Sequence, residues 1–324
     1  MEIKKINFII QNFKPKKIRL IFLLSIIIAF SEILGLSVLI PLTQKILNNS
    51  DITKNDFFHF IYVLKIEYLL LVIFIVYLFK NSLILIINSY LNQFISKFRS
   101  FLSIKIFSNI LKKDFNSHLN QNTSELIHAS IDDPNIFVSY VLKSYIQIIS
   151  EFFILFFIIF FLILIEPMGS IITFLIFFIF IVIYIFLSKK YSQRLGIIKR
   201  INDERRLFTL KEAYNSIKEI KFFKIEDYII KNFSKFNDAS SKSFRRHSTI
   251  TILPKLYFEI VAIILILLLV YHTKSNQYIV NELIFKFAIF GVATVKIIPS
   301  LNKISILYQN IKYGEAVTLK IYNY

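Results

Sequence analysis

The two runs flanking "EPM" at 166–168 limit the fold more than any other part of the sequence. From 152 to 165 and from 169 to 188 there is no Asp, Glu, Lys or Arg. A helix needs about 20 predominantly apolar residues to cross the hydrocarbon core of a bilayer. The second run has that length and the first lies within the longer apolar segment 137–165, so the pair predicts two adjacent membrane helices joined by a three-residue turn. The same test along the chain gives six segments, near 18–47, 67–98, 137–165, 169–190, 252–272 and 279–311. Composition agrees: 56% of residues are hydrophobic, against about 45–50% in a typical soluble domain. The predicted fold class is therefore an all-α, multi-pass membrane protein.

The net charge of +18 would suit a nucleic-acid partner, but its distribution argues against one. Most Lys and Arg lie in the connections between apolar runs, the bias that marks the cytoplasmic side of a membrane protein. Lys14, Lys16, Lys17 and Arg19 place the start of the chain on that side, and six crossings return the other terminus to it. The expected location is a bacterial plasma (inner) membrane with both termini cytoplasmic. Residues 1–16 carry Ile3, Ile6, Ile10 and Phe13 at helical spacing and read as an amphipathic helix on the membrane surface. The first apolar run continues past Ala29 and Ser31 to Ile40, too long for a cleaved signal core. Cysteine is absent, so disulfides and thiolate ligands are excluded.

The connections alternate in character. Those at 48–66, 166–168 and 273–278 are short or charge-balanced and read as external; those at 98–136 and 189–250 are long and rich in Lys and Arg and read as internal. Within 189–250 the sole glycine is Gly196 and there is no proline. Leu195, Ile198 and Ile201, then Leu207, Leu210, Tyr214 and Ile217, recur at helical spacing, with Glu204, Glu212 and Glu219 placed for helical ion pairs. A helix from 169 to about 212 would run roughly 65 Å at 1.5 Å per residue, so about 30 Å of it projects beyond the hydrocarbon. Two projecting hairpins follow. The first turns in "NQNTSELIHASIDDPNIF" (120–137), where Asn122 or Thr123 can cap a short helix with Glu125 in its first turn. The second turns in "AYNSIKEIKFF" (213–223). Tips so far from lipid are expected to dock a partner; the competing expectation is that they pack on each other.

Charged and amide side chains inside the spans are the remaining signals. A mid-span charge costs about 2.5–3.5 kcal/mol on insertion scales and therefore faces the bundle interior. Glu32, Lys80 and Lys296, with Asn81 and Asn302, are the expected lining of a translocation path; the rival expectation is that Glu32 and a lysine only brace the bundle. Gln147 and Glu151, one turn apart, read as a helix–helix contact. Pro41 and Pro299 are expected to kink the first and sixth segments. His59, His118, His128, His247 and His272 show no metal-ligand spacing. Gly35, Gly169, Gly196, Gly291 and Gly314 are each more than twenty residues apart, so these residues hold no G-x-x-x-x-G-K-[ST] phosphate loop and the chain is not expected to be an enzyme by itself.

"SEILGLSVLIPL" (31–42), "LNQNTSELIHASIDD" (119–133), "EAYNSIKEIKFFKIEDYIIKNF" (212–233), "LPKLYFEI" (253–260) and "KIIPSLNKI" (296–304) occur in an order and spacing that resembles the transmembrane domain of an ABC exporter with six long helices per subunit. Among such exporters the chain looks most like flippases of lipid-linked oligosaccharides and related polysaccharide or lipid exporters. The resemblance implies a surface helix at 1–16, a transmembrane domain over 17–315, and the start of a linker to an ATPase domain at 316–324. It implies one coupling helix at Asn122, Thr123, Ser124, Glu125 and Leu126, and a second at Tyr214, Ser216, Ile217, Lys218, Glu219 and Ile220. It also implies a nucleotide-binding partner holding ATP and Mg, a second transmembrane subunit across which the fourth and fifth segments swap, and a lipid or lipid-linked substrate. The family tends to have Arg where this chain has Lys296, which keeps the charge but not the planar fork. Lys80 and Lys296 would then meet an anionic headgroup. The alternatives are a non-functional truncated remnant and an ATP-independent transporter; no inverted repeat supports the latter.

Overall fold

The computed structural model describes residues 6, 8–9, 15–38, 42, 64–116, 122–165, 167–275 and 280–323. Among them there is no strand. In chain order the helices are α1 (Pro15–Ser37), α2 (Ile66–Leu111), α3 (Thr123–Ile136), a π-turn (Phe137–Leu142), α4 (Lys143–Ile165), α5 (Pro167–Asn215), α6 (Ile217–Phe223), α7 (Glu226–Ile250), α8 (Leu253–Ser275), α9 (Val280–Tyr313) and α10 (Glu315–Asn323). Four stretches among the described residues are long and apolar enough to cross a membrane: Ile66–Leu111, Thr123–Leu164, Gly169–Asn215 and Glu226–Ile264. Helices α1 and α9 occupy the places of the first and sixth expected segments. Pro41 and most of the 48–66 connection lie outside the described residues. On the apolar half, Phe74, Leu85, Phe156, Leu164, Phe186 and Leu187 are 54–78% exposed, which suits lipid and not water as the surrounding medium.

The long projections are present. Helix α5 is unbroken over 49 residues, about 73 Å. It pairs antiparallel with α7, as four hydrogen bonds record. Arg206 Nη1 donates to Asn237 Oδ1 (3.2 Å), Ser240 Oγ to Asp203 Oδ1 (2.5 Å), Ser243 Oγ to the Leu195 carbonyl (2.7 Å) and Tyr184 OH to the Ile250 carbonyl (3.3 Å). The buried face of α7 is Ser240, Ser243 and His247. Small hydroxyls there let the two helices approach and still bond across the seam.

The first projection departs from expectation. Asn122 caps as predicted, its side chain accepting from the Ser124 amide at 2.9 Å. Among the described residues of this projection there is no separate cross-helix after Asn122. α3 runs through the π-turn directly into α4, so residues 122–126 open the third membrane segment. Pro134 does not stop the helix, although it has no N–H for the carbonyl four residues back. That carbonyl, on Ser130, instead accepts from the Ser103 hydroxyl of α2. The π-turn begins three residues after Pro134. Residues 117–121, the rest of the expected first tip, lie outside the described set.

Two cores result. One, in the apolar half, gathers Ala29, Ile158, Phe177, Phe258, Ile297 and Leu301. The other, in the polar half, gathers Phe98, Leu102, Phe137 and Val141 with Ile6 and Ile9 from the start of the chain and Val317 and Ile321 from α10. The Phe8 and Tyr322 rings meet edge to face at 5.4 Å. Residues 316–323, expected as a linker, are thus part of a packed helix.

A close backbone approach joins α5 to α9. A Cβ on Gly196 would lie 1.9 Å from the Tyr313 carbonyl oxygen. Backbone cannot yield as a side chain can, so Gly196→Ala must push the helices apart. We expect a loss of roughly 1–3 kcal/mol, read as a lowered Tm of the purified protein; an unchanged Tm would show that the helices do not approach this closely.

Candidate functional site

Three of the five predicted path residues converge. Glu32 Oε2 lies 2.6 Å from Lys80 Nζ and 3.1 Å from Lys296 Nζ, joining α1, α2 and α9 through one carboxylate oxygen. The lysines are not equivalent. The Lys80 side chain is 5% exposed and that of Lys296 is 31% exposed. Lys80 lies 5.1 Å from the centroid of the Tyr77 ring and passes beside Gly35. It secures Glu32 from behind. Lys296 and Glu32 border a cavity of about 320 Å³ between α1, α2, α4 and α9.

The cavity has a second charged pair. Glu151 Oε1 and Lys303 Nζ meet at 2.6 Å, and both line it with Asn88, Gln147 and Ser150. The sequence reading treated Gln147 and Glu151 as a local helix contact and missed Lys303. The signal was available: Lys303 follows Lys296 by two helical turns, with Pro299 and Ser300 between them on the same face. Asn81 is exposed on α2 and outside the lining. Asn302 is half-buried, its Oδ1 without a hydrogen-bond partner, and also outside it. The rest of the wall is mostly aliphatic, with Ile21, Leu24, Ile28, Ile84, Ile87 and Ile154, alongside Ser25 and Tyr90. Two cations share one acid near Glu32, while Lys303 and Glu151 cancel. The charged side chains that line the cavity balance, and Lys80, behind Glu32, adds one positive charge at its wall.

The second predicted tip is an exposed apolar patch. Ser216 breaks α5, the short helix α6 follows, and Lys224 ends it in the left-handed region with φ 54°. Lys221 reaches back to Glu226 at 2.9 Å and braces that turn. Ile220 is buried against the hairpin, whereas Tyr214, Phe222, Phe223 and Tyr228 are 66–81% exposed. Lys218 and Glu219 are exposed beside them. The predicted set omitted Phe222, Phe223 and Tyr228, which carry most of the patch.

The first predicted set is largely committed within the molecule. Ser124 is fully buried, Leu126 packs on the polar-half core, and Glu125 pairs with Lys320 of α10. Only Asn122 and Thr123 of this set are exposed. Behind them lies a buried charge cluster. Arg200 grips Asp133 with Nε to Oδ1 at 3.3 Å and Nη2 to Oδ2 at 3.0 Å, and holds Glu204 at 3.2 Å through Nη1. His128 Nδ1 lies 3.1 Å from Asp133, and Lys320 Nζ lies 3.8 Å from Glu204. The cluster ties α3, α5 and α10 into one unit. Among the described residues, no group of three or more His, Cys, Asp and Glu is placed to hold a metal.

A charged cavity lies among α1, α2, α4 and α9, and the α5–α7 hairpin beside it ends in an exposed tip. A family model described as the ABC transporter transmembrane region matches residues 18–301. The chain belongs to this family. It is an integral membrane protein, the transmembrane component of an ABC transporter. As an ABC transporter transmembrane region it implies, in general, an ATPase partner and dimerisation.

Proposed function

We propose that this ABC transporter transmembrane region forms the path of an ATP-driven exporter or flippase for a lipid-linked or amphipathic substrate. ATP and Mg are held by a nucleotide-binding domain outside these residues, and a second transmembrane subunit completes the path. In this reading all six expected segments cross a bacterial inner membrane, and both termini and the α6 tip are cytoplasmic. The observation that carries it is the unequal sharing of Glu32. Lys80 alone can neutralise the carboxylate, which leaves Lys296, the more exposed cation, to meet an anionic headgroup at the cavity wall. The aliphatic lining suits the lipid portion of the same substrate.

The test is transport in proteoliposomes containing the chain and its ATPase partner. Losing a charged hydrogen bond is worth about 1.5–3 kcal/mol, so Lys296→Ala should slow transport roughly tenfold or more, with membrane insertion and assembly intact. Lys296→Arg should retain most of it. Wild-type rates in Lys296→Ala would remove Lys296 from the path.

A further inference from the structure

Along α5 and α7 the supply of acids changes with height. Toward the tip acids stand among the cations and several pairs form: Lys199 and Arg206 with Asp203, Arg200 with Asp133 and Glu204, Lys221 with Glu226. Nearer the apolar half the same helices carry Lys189, Lys190 and Arg194 on α5, and Lys242, Arg245 and Arg246 on α7. All six are exposed, and among the described residues none of them has an ion-pair partner. The sequence supplies no local acid: there is no Asp or Glu from 167 to 202 or from 239 to 258.

Hydrogen bonds across the hairpin set these six at one level. Tyr184 OH meets the Ile250 carbonyl, and Ser243 Oγ meets the Leu195 carbonyl. Residues 184–195 of α5 therefore lie alongside 243–250 of α7. Lys189, Lys190 and Arg194 fall inside the first interval, Arg245 and Arg246 inside the second, and Lys242 at its edge. On the apolar side of this band stand Phe186 and Leu187, 78% and 70% exposed, and Ile252 and Leu253, 59% and 47% exposed. Tyr191 and Phe244 are exposed within it. The band thus sits where the hairpin leaves the hydrocarbon.

We propose that this band is a binding site for anionic phospholipid headgroups of the adjoining leaflet. The site is separate from the cavity and does not depend on the reading of the cavity as a substrate path. A phosphodiester beside the band would accept charge-assisted hydrogen bonds from the lysines and from the forked guanidinium groups. Its acyl chains would lie on Phe186, Leu187, Ile252 and Leu253. An orientation bias alone requires only that cations lie in a connection. It does not require them to be acid-free, level across two packed helices and directly above exposed apolar side chains. Juxtamembrane cations gain affinity from each added charge near an anionic surface.

The experiment is titration of the purified full chain in neutral detergent with fluorescent phosphatidylglycerol, and separately with fluorescent phosphatidylcholine. Wild type should bind the anionic lipid more tightly. K189Q/K190Q/R245Q/R246Q should weaken that binding roughly tenfold or more, while the charge-preserving K189R/K190R/R245K/R246K keeps it. K231Q/K235Q removes two cations nearer the tip and should leave it unchanged. Should the fourfold glutamine variant not fold, K189Q/K190Q and R245Q/R246Q are read separately, each with a loss of up to about thirtyfold. Equal binding of the two lipids by wild type would overturn the site. So would undiminished phosphatidylglycerol affinity in the glutamine variants, or a loss seen only in Lys296→Gln, which would place the headgroup in the cavity.

Discussion

Arg200→Ala should cost the protein about 3–5 kcal/mol, because it leaves a buried carboxylate without its partner. Asp133 is fully buried and receives two hydrogen bonds from the Arg200 guanidinium. His128 remains beside it, yet cannot replace a permanent, forked cation. The loss should appear as a lowered Tm and as faster proteolysis of the polar half. Arg200→Lys should recover little, since one ammonium cannot serve both carboxylate oxygens and Glu204. The double variant Arg200→Met/Asp133→Leu removes both charges and should be closer to wild type than either single change. If Arg200→Ala melts with wild type, the cluster contributes nothing to the joining of α3, α5 and α10.

The second large effect is expected at the tip. Large aromatic side chains at the centre of an interface often cost 2 kcal/mol or more each when truncated. Phe222→Ala/Phe223→Ala should therefore weaken capture of the nucleotide-binding partner by roughly three orders of magnitude. Transport should fall with it, while the Tm of the chain alone stays the same, because neither ring is buried. Pull-down of the ATPase and substrate-stimulated ATP hydrolysis measure the two consequences. Glu125→Ala tests the other end of the idea. Glu125 already pairs with Lys320, so its loss should lower stability more than partner affinity. Full partner binding by the double Phe variant would move the docking surface away from α6.

The parts of this fold that rest on local pattern were legible in the sequence. Helix α5 was expected to reach about 212 and ends at Asn215; the break expected within 213–223 is Ser216. Both follow from apolar spacing and the scarcity of Gly and Pro. The convergence of Glu32 with Lys80 and Lys296 was also foreseeable, since three charges at membrane depth have few partners other than one another. Pairings across long sequence separations were not legible. Asp133 with Arg200 spans 67 residues and Glu125 with Lys320 spans 195. The partner of the Ser130 carbonyl, which Pro134 leaves without an N–H, was not legible for the same reason: the Ser103 hydroxyl arrives from another helix. Phe222 and Phe223 stood in the quoted tip and were passed over, because whether a phenylalanine is core or surface depends on which face α7 covers.

The seat of Gly196 on the Tyr313 carbonyl makes α5 a lever with a fixed pivot. From Gly196 to the Ser216 break is about 30 Å, and from Gly196 to the far end of the helix about 40 Å. Nothing within α5 supplies a proline or π-turn at which it could flex. A tilt of about 10° at the pivot would carry the tip roughly 5 Å one way and the membrane end roughly 7 Å the other. Any such tilt would be slightly enlarged and reversed in direction at the membrane end, without any bond inside the helix having to break.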